Sequence, residues 1–129
     1  MKIRACNERR EAVEIIKRVL YEDAYASPLL LATFRANPQW GERERGLIPN
    51  LVYTVLTHSL RLEAFINRYA TIPVRRMKPQ VAVVLMVSAA QLLWMDRIPP
   101  HAVVDEAVKL ILASPQRNLS GFVNGVLRA

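Results

Sequence analysis

Apolar side chains recur every three to four residues along this chain, in short runs separated by prolines. Ala12, Val13, Ile16, Val19 and Leu20 share one face of a helix expected over residues 8–23. Arg10, Glu14, Lys17 and Arg18 lie on the other face. Glu14 and Arg18 stand in the i,i+4 order that favours an ion pair. Ser27-Pro28 reads as a start signal, with Ser at the N-cap and Pro at the first helical position. A short helix follows through Leu29, Leu30, Leu31 and Phe34, and Asn37-Pro38 ends it. Residues 42–58 predict the next helix, with Leu47, Leu51, Val52, Val55 and Leu56 as its core face. Pro49 inside it should kink the helix or mark a late start. Ser59 is expected to cap a further helix that turns Leu62, Phe65, Ile66 and Tyr69 inward, before Thr71-Ile72-Pro73 breaks the pattern.

The pattern changes at Lys78-Pro79. From there to Met95 the chain is apolar on nearly every side of a helix, which predicts a segment enclosed by its neighbours. The run is interrupted by Ser88 and Gln91 and is shorter than the ~20 residues of a membrane span. It therefore reads as a core helix. Asp96-Arg97-Ile98-Pro99-Pro100 is a rigid connector to a helix from His101 to Ala113, whose buried stripe is Val103, Val104, Ala107, Val108 and Ile111. Ser114-Pro115 stops it. A last helix from about Leu119 buries Leu119, Phe122, Val123, Val126 and Leu127. No segment alternates with period two, so strands are not expected. The fold class is all-α: a single irregular helical bundle of about seven helices around a central apolar helix.

With 129 residues, 52% of them hydrophobic, the chain can fill one core. Its single cysteine, Cys6, permits no internal disulfide, and no Cys/His group has zinc-site spacing. The first ten residues contain no apolar leader, so a reducing cytosol is the expected setting. The formal charge is +7, from 18 basic and 11 acidic residues. Such an excess attracts polyanions, although it can equally serve solubility alone. The cations form two groups. Lys2, Arg4, Arg9, Arg10, Lys17 and Arg18 lie near the start, diluted by Glu8, Glu11 and Glu14. Arg68, Arg75, Arg76 and Lys78 surround Pro73, with no acid between Glu63 and Asp96. The candidate RNA contacts are Lys2, Arg4, Arg9, Arg10, Lys17, Arg75, Arg76 and Lys78, acting on phosphates. Tyr21 and Tyr53 could stack on bases, but tyrosine at helical spacing more often packs half-buried.

No catalytic group emerges. His58 and His101 have no nucleophile and carboxylate at a suggestive spacing, and capping or packing is the stronger reading for His101. Asp105 and Glu106 are adjacent, so on a helix they diverge by roughly 100° and cannot act as a pair. Asp105 with Lys109 reads as an ion pair, and Glu106 as an inward bond to a neighbouring turn. Asn124 reads as an amide satisfying a backbone group at a helix junction. No metal site is expected.

Three strings are more specific than a helical bundle requires. They are Leu51-Val52-Tyr53-Thr54-Val55-Leu56, the run from Asp96 through Pro99-Pro100-His101 to Val108, and Phe122-Val123-Asn124-Gly125-Val126-Leu127-Arg128. In order and spacing the chain resembles the NusB-like domain family. That family includes bacterial antitermination factors and the N-terminal domain of enzymes that methylate carbon 5 of a cytosine in small-subunit ribosomal RNA. The Pro-Pro-His string, Ala24-Tyr25-Ala26 and the ending are worded like the methyltransferase branch. Thr54, Thr57 and Glu63 depart from its usual Gly, Arg and Asp.

The resemblance implies that residues 1–129 are an RNA-binding domain preceding a methyltransferase domain in the same polypeptide. S-adenosylmethionine and the nucleophilic cysteine would belong to that following domain. This chain itself has no Gly-rich strand–turn–helix unit for the cofactor, and nothing implies a pocket at Cys6. No cofactor and no membrane are expected here. The implied partner is ribosomal RNA. The antitermination branch implies instead a free-standing factor that binds leader RNA with a ribosomal protein. That branch also carries its arginine-rich start at the RNA surface, which favours Arg4, Arg9 and Arg10. A protein-interaction module with no RNA role is a third reading.

Overall fold

A computed structural model describes the backbone of residues 4–95 and 98–128, and side chains from Glu8 onward within them. Among the described residues there are seven α-helices and no strand: α1 Arg4–Glu22, α2 Ala26–Ala36, α3 Glu42–Thr57, α4 Ser59–Asn67, α5 Pro79–Trp94, α6 Pro100–Leu112 and α7 Ser120–Arg128. Single 3-10 turns at Val74–Arg76 and Arg117–Leu119 precede α5 and α7.

Prolines set several of these boundaries. Pro79 and Pro100 each sit at the first position of their helix, where the missing N–H would have no partner anyway. Asp23, with φ 59°, turns the chain out of α1, and the Ala24 N–H reaches back to the Arg18 carbonyl at 3.1 Å. Asn37 closes α2 by donating its side-chain amide to the Thr33 carbonyl at 2.9 Å. The start of α2 differs from the sequence expectation. Tyr25 is the N-cap, and Ser27 lies inside the first turn with its hydroxyl 3.0 Å from that of Tyr53. Pro49 neither delays nor interrupts α3, which runs through it without a break.

The apolar run forms the axis of the molecule. Every residue from Val81 to Gln91 is buried, and α5 touches α1, α3, α4, α6 and α7. Each neighbour contributes a stripe: Ala12, Val13 and Ile16 from α1, Leu51, Val52 and Val55 from α3, Leu62 and Ile66 from α4, Val103, Ala107 and Ile111 from α6, and Val123 from α7, while on α3 Ile48 is buried and the expected Leu47 and Leu56 are only partly so. Four large hydrophobic side chains expected inside are exposed, Leu93 and Trp94 at the end of α5 among them. Tyr69 is 44% exposed because α4 ends at Asn67 and the chain turns away before it. Leu20 is 37% exposed, in the last turn of α1.

Two polar bonds pin α1 against α5. Lys17 Nζ donates to Gln80 Oε1 at 2.8 Å, and Arg9 Nε donates to Gln91 Oε1 at 2.9 Å. The later α1 residue meets the earlier α5 residue, so the two helices run antiparallel. The sequence placed Glu14 with Arg18. Instead Glu14 lies 3.4 Å from Lys17, and Arg18 lies 3.7 Å from Glu22.

Truncating the axis should be costly. Leu85→Ala, at a fully buried position, is expected to lower the unfolding free energy by about 2–5 kcal/mol through lost burial and a residual cavity. Denaturant titration would show a lower midpoint with an unchanged slope.

Candidate nucleic-acid interface

The first basic group is spread along the α1–α5 pair, with Arg9 at one end of α5 and Lys17, through Gln80, at the end where the second group lies. Arg9 bonds Gln91 near the end of α5, whereas Arg75, Arg76 and Lys78 precede the start of α5. Eleven residues of helix separate Gln80 from Gln91, roughly 16 Å at 1.5 Å per residue. One compact cationic site does not form.

Within the first group the side chains have different fates. Lys2 lies outside the described residues. Arg4 opens α1, but its side chain also lies outside them. Arg10 is exposed. Arg9, expected on the cationic exterior, is 7% exposed, and its guanidinium serves the α1–α5 junction. Gln91 in turn donates to the Val87 carbonyl at 3.1 Å, so a buried amide orients the arginine. Lys17 is also committed to structure, held between Gln80 and Glu14. Both were legible as cations. Their inward placement depends on α5 supplying glutamines at matching heights, which a helical pattern read on α1 alone does not reveal.

The second group is more uniform. Arg75, Arg76 and Lys78 are all exposed and take part in no ion pair or side-chain hydrogen bond found among the described residues. Asn67 Oδ1 accepts the Val74 N–H at 2.8 Å and thereby shapes the turn that carries the two arginines. Lys78 is itself the N-cap of α5. Three cations thus stand at the positive end of a helix dipole, where anions are the favoured company. Arg68, on the adjoining end of α4, is exposed as well.

A carboxylate cluster adjoins the start of α1. Glu8 has a side chain only 4% exposed. Its Oε2 lies 3.3 Å from Arg43 Nη1, and its Oε1 is buried without a hydrogen-bond partner. Burial pushes the Glu8 carboxyl above its ordinary value. Arg43 opposes this but is 69% exposed and solvent-screened, and the neighbouring Glu44 carboxylate adds to the rise. Glu44 shifts the other way, because hydrogen bonding at the head of α3 holds its carboxylate. Its Oε1 accepts the Gly41 N–H at 2.8 Å.

Other sequence readings resolve differently. Tyr21 and Tyr53 are both about half exposed. Glu22, Asp23 and Glu63 surround Tyr21 in sequence or space, and burial together with Glu63 raises its hydroxyl pKa. That is poor company for a phosphate chain. Asn124 satisfies no backbone group. Its Oδ1 accepts from Arg128 Nε at 2.9 Å, and it lines an open groove with Asp105, Lys109 and Ser120. The expected Asp105–Lys109 ion pair does not form, and Glu106 Oε1 is buried with no partner found among the described residues. His101 is exposed in the first turn of α6 and caps nothing, since Pro99 holds the N-cap. Among the described residues no three His, Cys, Asp or Glu side chains gather to hold a metal. None of the helices is long and apolar enough to cross a membrane.

The chain belongs to the NusB family, whose profile matches residues 6–129. It is similar to "Probable ribosomal RNA small subunit methyltransferase B" of Bacillus subtilis (strain 168), with 30% identity over 118 residues, 92% of this chain and 26% of that protein. It is also similar to Ribosomal RNA small subunit methyltransferase B of Erwinia tasmaniensis, with 33% identity over 122 residues, 95% of this chain and 28% of that protein. The chain thus spans about a quarter of the length of these relatives. The fold matches T. maritima NusB, with a TM-score of 0.85 and 18% identity over 99% of this chain and 90% of that one. It also matches the structure described as antitermination factors NusB and NusE in complex with dsRNA, with a TM-score of 0.84 and 18% identity over 96% of this chain and 92% of that one. No cofactor is indicated for a domain of this type.

Two measurements check the placements above. Arg9→Ala strips a buried amide of its donor and is expected to destabilise by about 1–3 kcal/mol, whereas exposed Arg10→Ala should stay within about 0.5 kcal/mol. Thermal melts of the two variants should therefore separate clearly, and equal melts would place Arg9 at the surface. The second check is pH. The raised Glu8 value means that the folded state holds the proton more tightly than the unfolded chain. Its stability contribution is full below the ordinary value of 4.5 and is lost as pH rises through the folded value. Glu44 acts on the acid side of 4.5, where its contribution is lost as pH falls. Glu8→Gln should accordingly flatten the decline of stability above pH 4.5 and leave the acid limb in place.

Proposed function

We propose that this chain is an RNA-binding domain, and that it serves substrate recognition in a small-subunit ribosomal RNA cytosine-C5 methyltransferase. Residues 1–129 then form one such domain of a longer polypeptide, whose following part carries the chemistry and S-adenosylmethionine. The observation that carries this reading is the family match over almost the whole chain, joined to 30–33% identity with proteins named for that methyltransferase. The physical support is the exposed group Arg75, Arg76 and Lys78 at the positive end of α5, together with Arg10 and, by sequence, Lys2 and Arg4 at the start of α1. Arg9 and Lys17 are engaged with α5 and hold these surfaces in place.

The antitermination reading has one observation in its favour, the close fold match to NusB bound to NusE and dsRNA. On that reading the chain binds leader RNA with a ribosomal protein. The identity to that structure is 18%, below its identity to the methyltransferases.

RNA held by phosphate contacts responds to salt. Binding to fragments of small-subunit ribosomal RNA should weaken linearly in log Kd against log salt. The slope should fall by roughly 0.7–0.9 for each phosphate contact removed. Arg75→Ala, Arg76→Ala and Lys78→Ala combined should lower it by about two to three on that basis. A protein with no measurable affinity for any of these fragments at low salt is not an RNA-binding domain. Wild-type and triple-variant slopes that coincide would move the contact away from the start of α5.

A further inference from the structure

Trp94 ends α5 with 38% of its surface exposed, and Leu93 beside it is 39% exposed. An indole usually finds more cover than this. Two planar, nitrogen-bearing side chains approach it from the start of α4. The His58 ring lies 4.8 Å from the Trp94 ring, centroid to centroid and tilted by 44°. The Arg61 guanidinium carbon is 5.6 Å from the indole centroid. His58 and Arg61 are three residues apart, hence neighbours on one side of their helix. They cover the indole from the α4 side and, among the described residues, leave the remainder open. Arg61 is exposed and joins no ion pair among the described residues. Glu63, two residues on, acts on Tyr21 instead. Asp96 and Arg97, which follow in sequence, cancel in formal charge.

The position in the fold adds a second, independent argument. Gln91, one turn before Trp94, is the residue that Arg9 grips. The indole therefore stands at the end of α5 where the basic start of α1 docks, about 4.5 Å further along the axis. A polyanion reaching exposed Arg10 at this end of the bundle would have an open aromatic face and the Arg61 guanidinium within its reach.

We propose that Trp94, backed by His58 and flanked by Arg61, is a stacking platform for one unpaired RNA base, with Arg61 taking an adjacent phosphate. The inference rests on the RNA-binding reading above and adds a specific site to it. The chemistry is that of single-strand recognition, where aromatic faces take bases and arginines take the backbone. The tyrosines around the start of α2 are more exposed but sit among Glu22, Asp23 and Glu63, so they compete poorly for a polyanion.

The test uses the full chain in a Trp40→Phe background. Trp40 is half-buried edge-on against Phe34, so phenylalanine keeps its packing, and Trp94 becomes the only indole. Two probes of equal length are titrated, oligouridylate and an abasic ribose-phosphate oligomer. Stacking predicts that oligouridylate quenches Trp94 fluorescence and the abasic oligomer does not. Trp94→Ala should weaken oligouridylate binding about fivefold to a hundredfold and leave abasic binding unchanged, with Trp94→Tyr restoring most of the loss. Trp94→Leu keeps apolar cover over α4, so circular dichroism and melts of that variant separate folding from contact. Binding of both probes without quenching, or equal losses for both in Trp94→Ala, overturns the platform and leaves RNA binding standing. Absence of binding by either probe at low salt overturns the platform and the RNA-binding reading together.

Discussion

The burial of α5 on every side is the constraint from which the rest follows. A helix whose residues from Val81 to Gln91 all leave water cannot exist alone. It requires a closed ring of neighbours, and each of those needs only one apolar stripe. This division lets α1, α3, α4, α6 and α7 keep polar outer faces while sharing a single core. Each buried valine or leucine contributes about 1.5–3 kcal/mol, but such burial is indifferent to small rotations and slides of one helix along another. Direction and height come from polar bonds. Arg9 to Gln91 and Lys17 to Gln80 hold α1 antiparallel to α5 at two levels, and neither has an equivalent partner one turn away.

Those bonds also sort the cations. Fourteen arginines and four lysines make the chain basic, but charge is useful to a polyanion only where the side chain is free. The core claims Arg9 and part of Lys17. Among the exposed cations, two sets stand near the ends of α5. One end carries Arg75, Arg76 and Lys78 against the positive pole of the helix. The other carries the start of α1 beside an exposed indole. A nucleic acid that touched both would follow the length of α5 instead of occupying a pocket. Such a surface suits positioning better than chemistry.

Glu8 illustrates the cost of this arrangement. A carboxylate with one oxygen unpartnered and little exposure is held beside Arg43 and Glu44 where α1 meets α3. Its raised proton affinity is the electrostatic signature of a group the fold tolerates near its basic edge.

The sequence by itself determined the class of the molecule. The seven helical segments, the enclosed rod opened by Lys78-Pro79 and the stripes facing it were all legible, because burial on one face or on all faces leaves a period in the order of residues. The Pro-Pro-His and Asn-Gly-Val-Leu-Arg strings pointed to the family, and both basic clusters could be counted. Partners across helices were not legible. Ser27 pairs with Tyr53, Lys17 with Gln80, Arg9 with Gln91, and Glu14 with Lys17 in place of Arg18. Trp94 gave no signal, since an indole at the end of an apolar run reads as core until its neighbours stop short of it. Periodicity records which way a side chain points from its own helix axis. Only the packing of one helix on another decides whether that direction ends in solvent, in a hydrocarbon core, or at a polar atom supplied from eighty residues away.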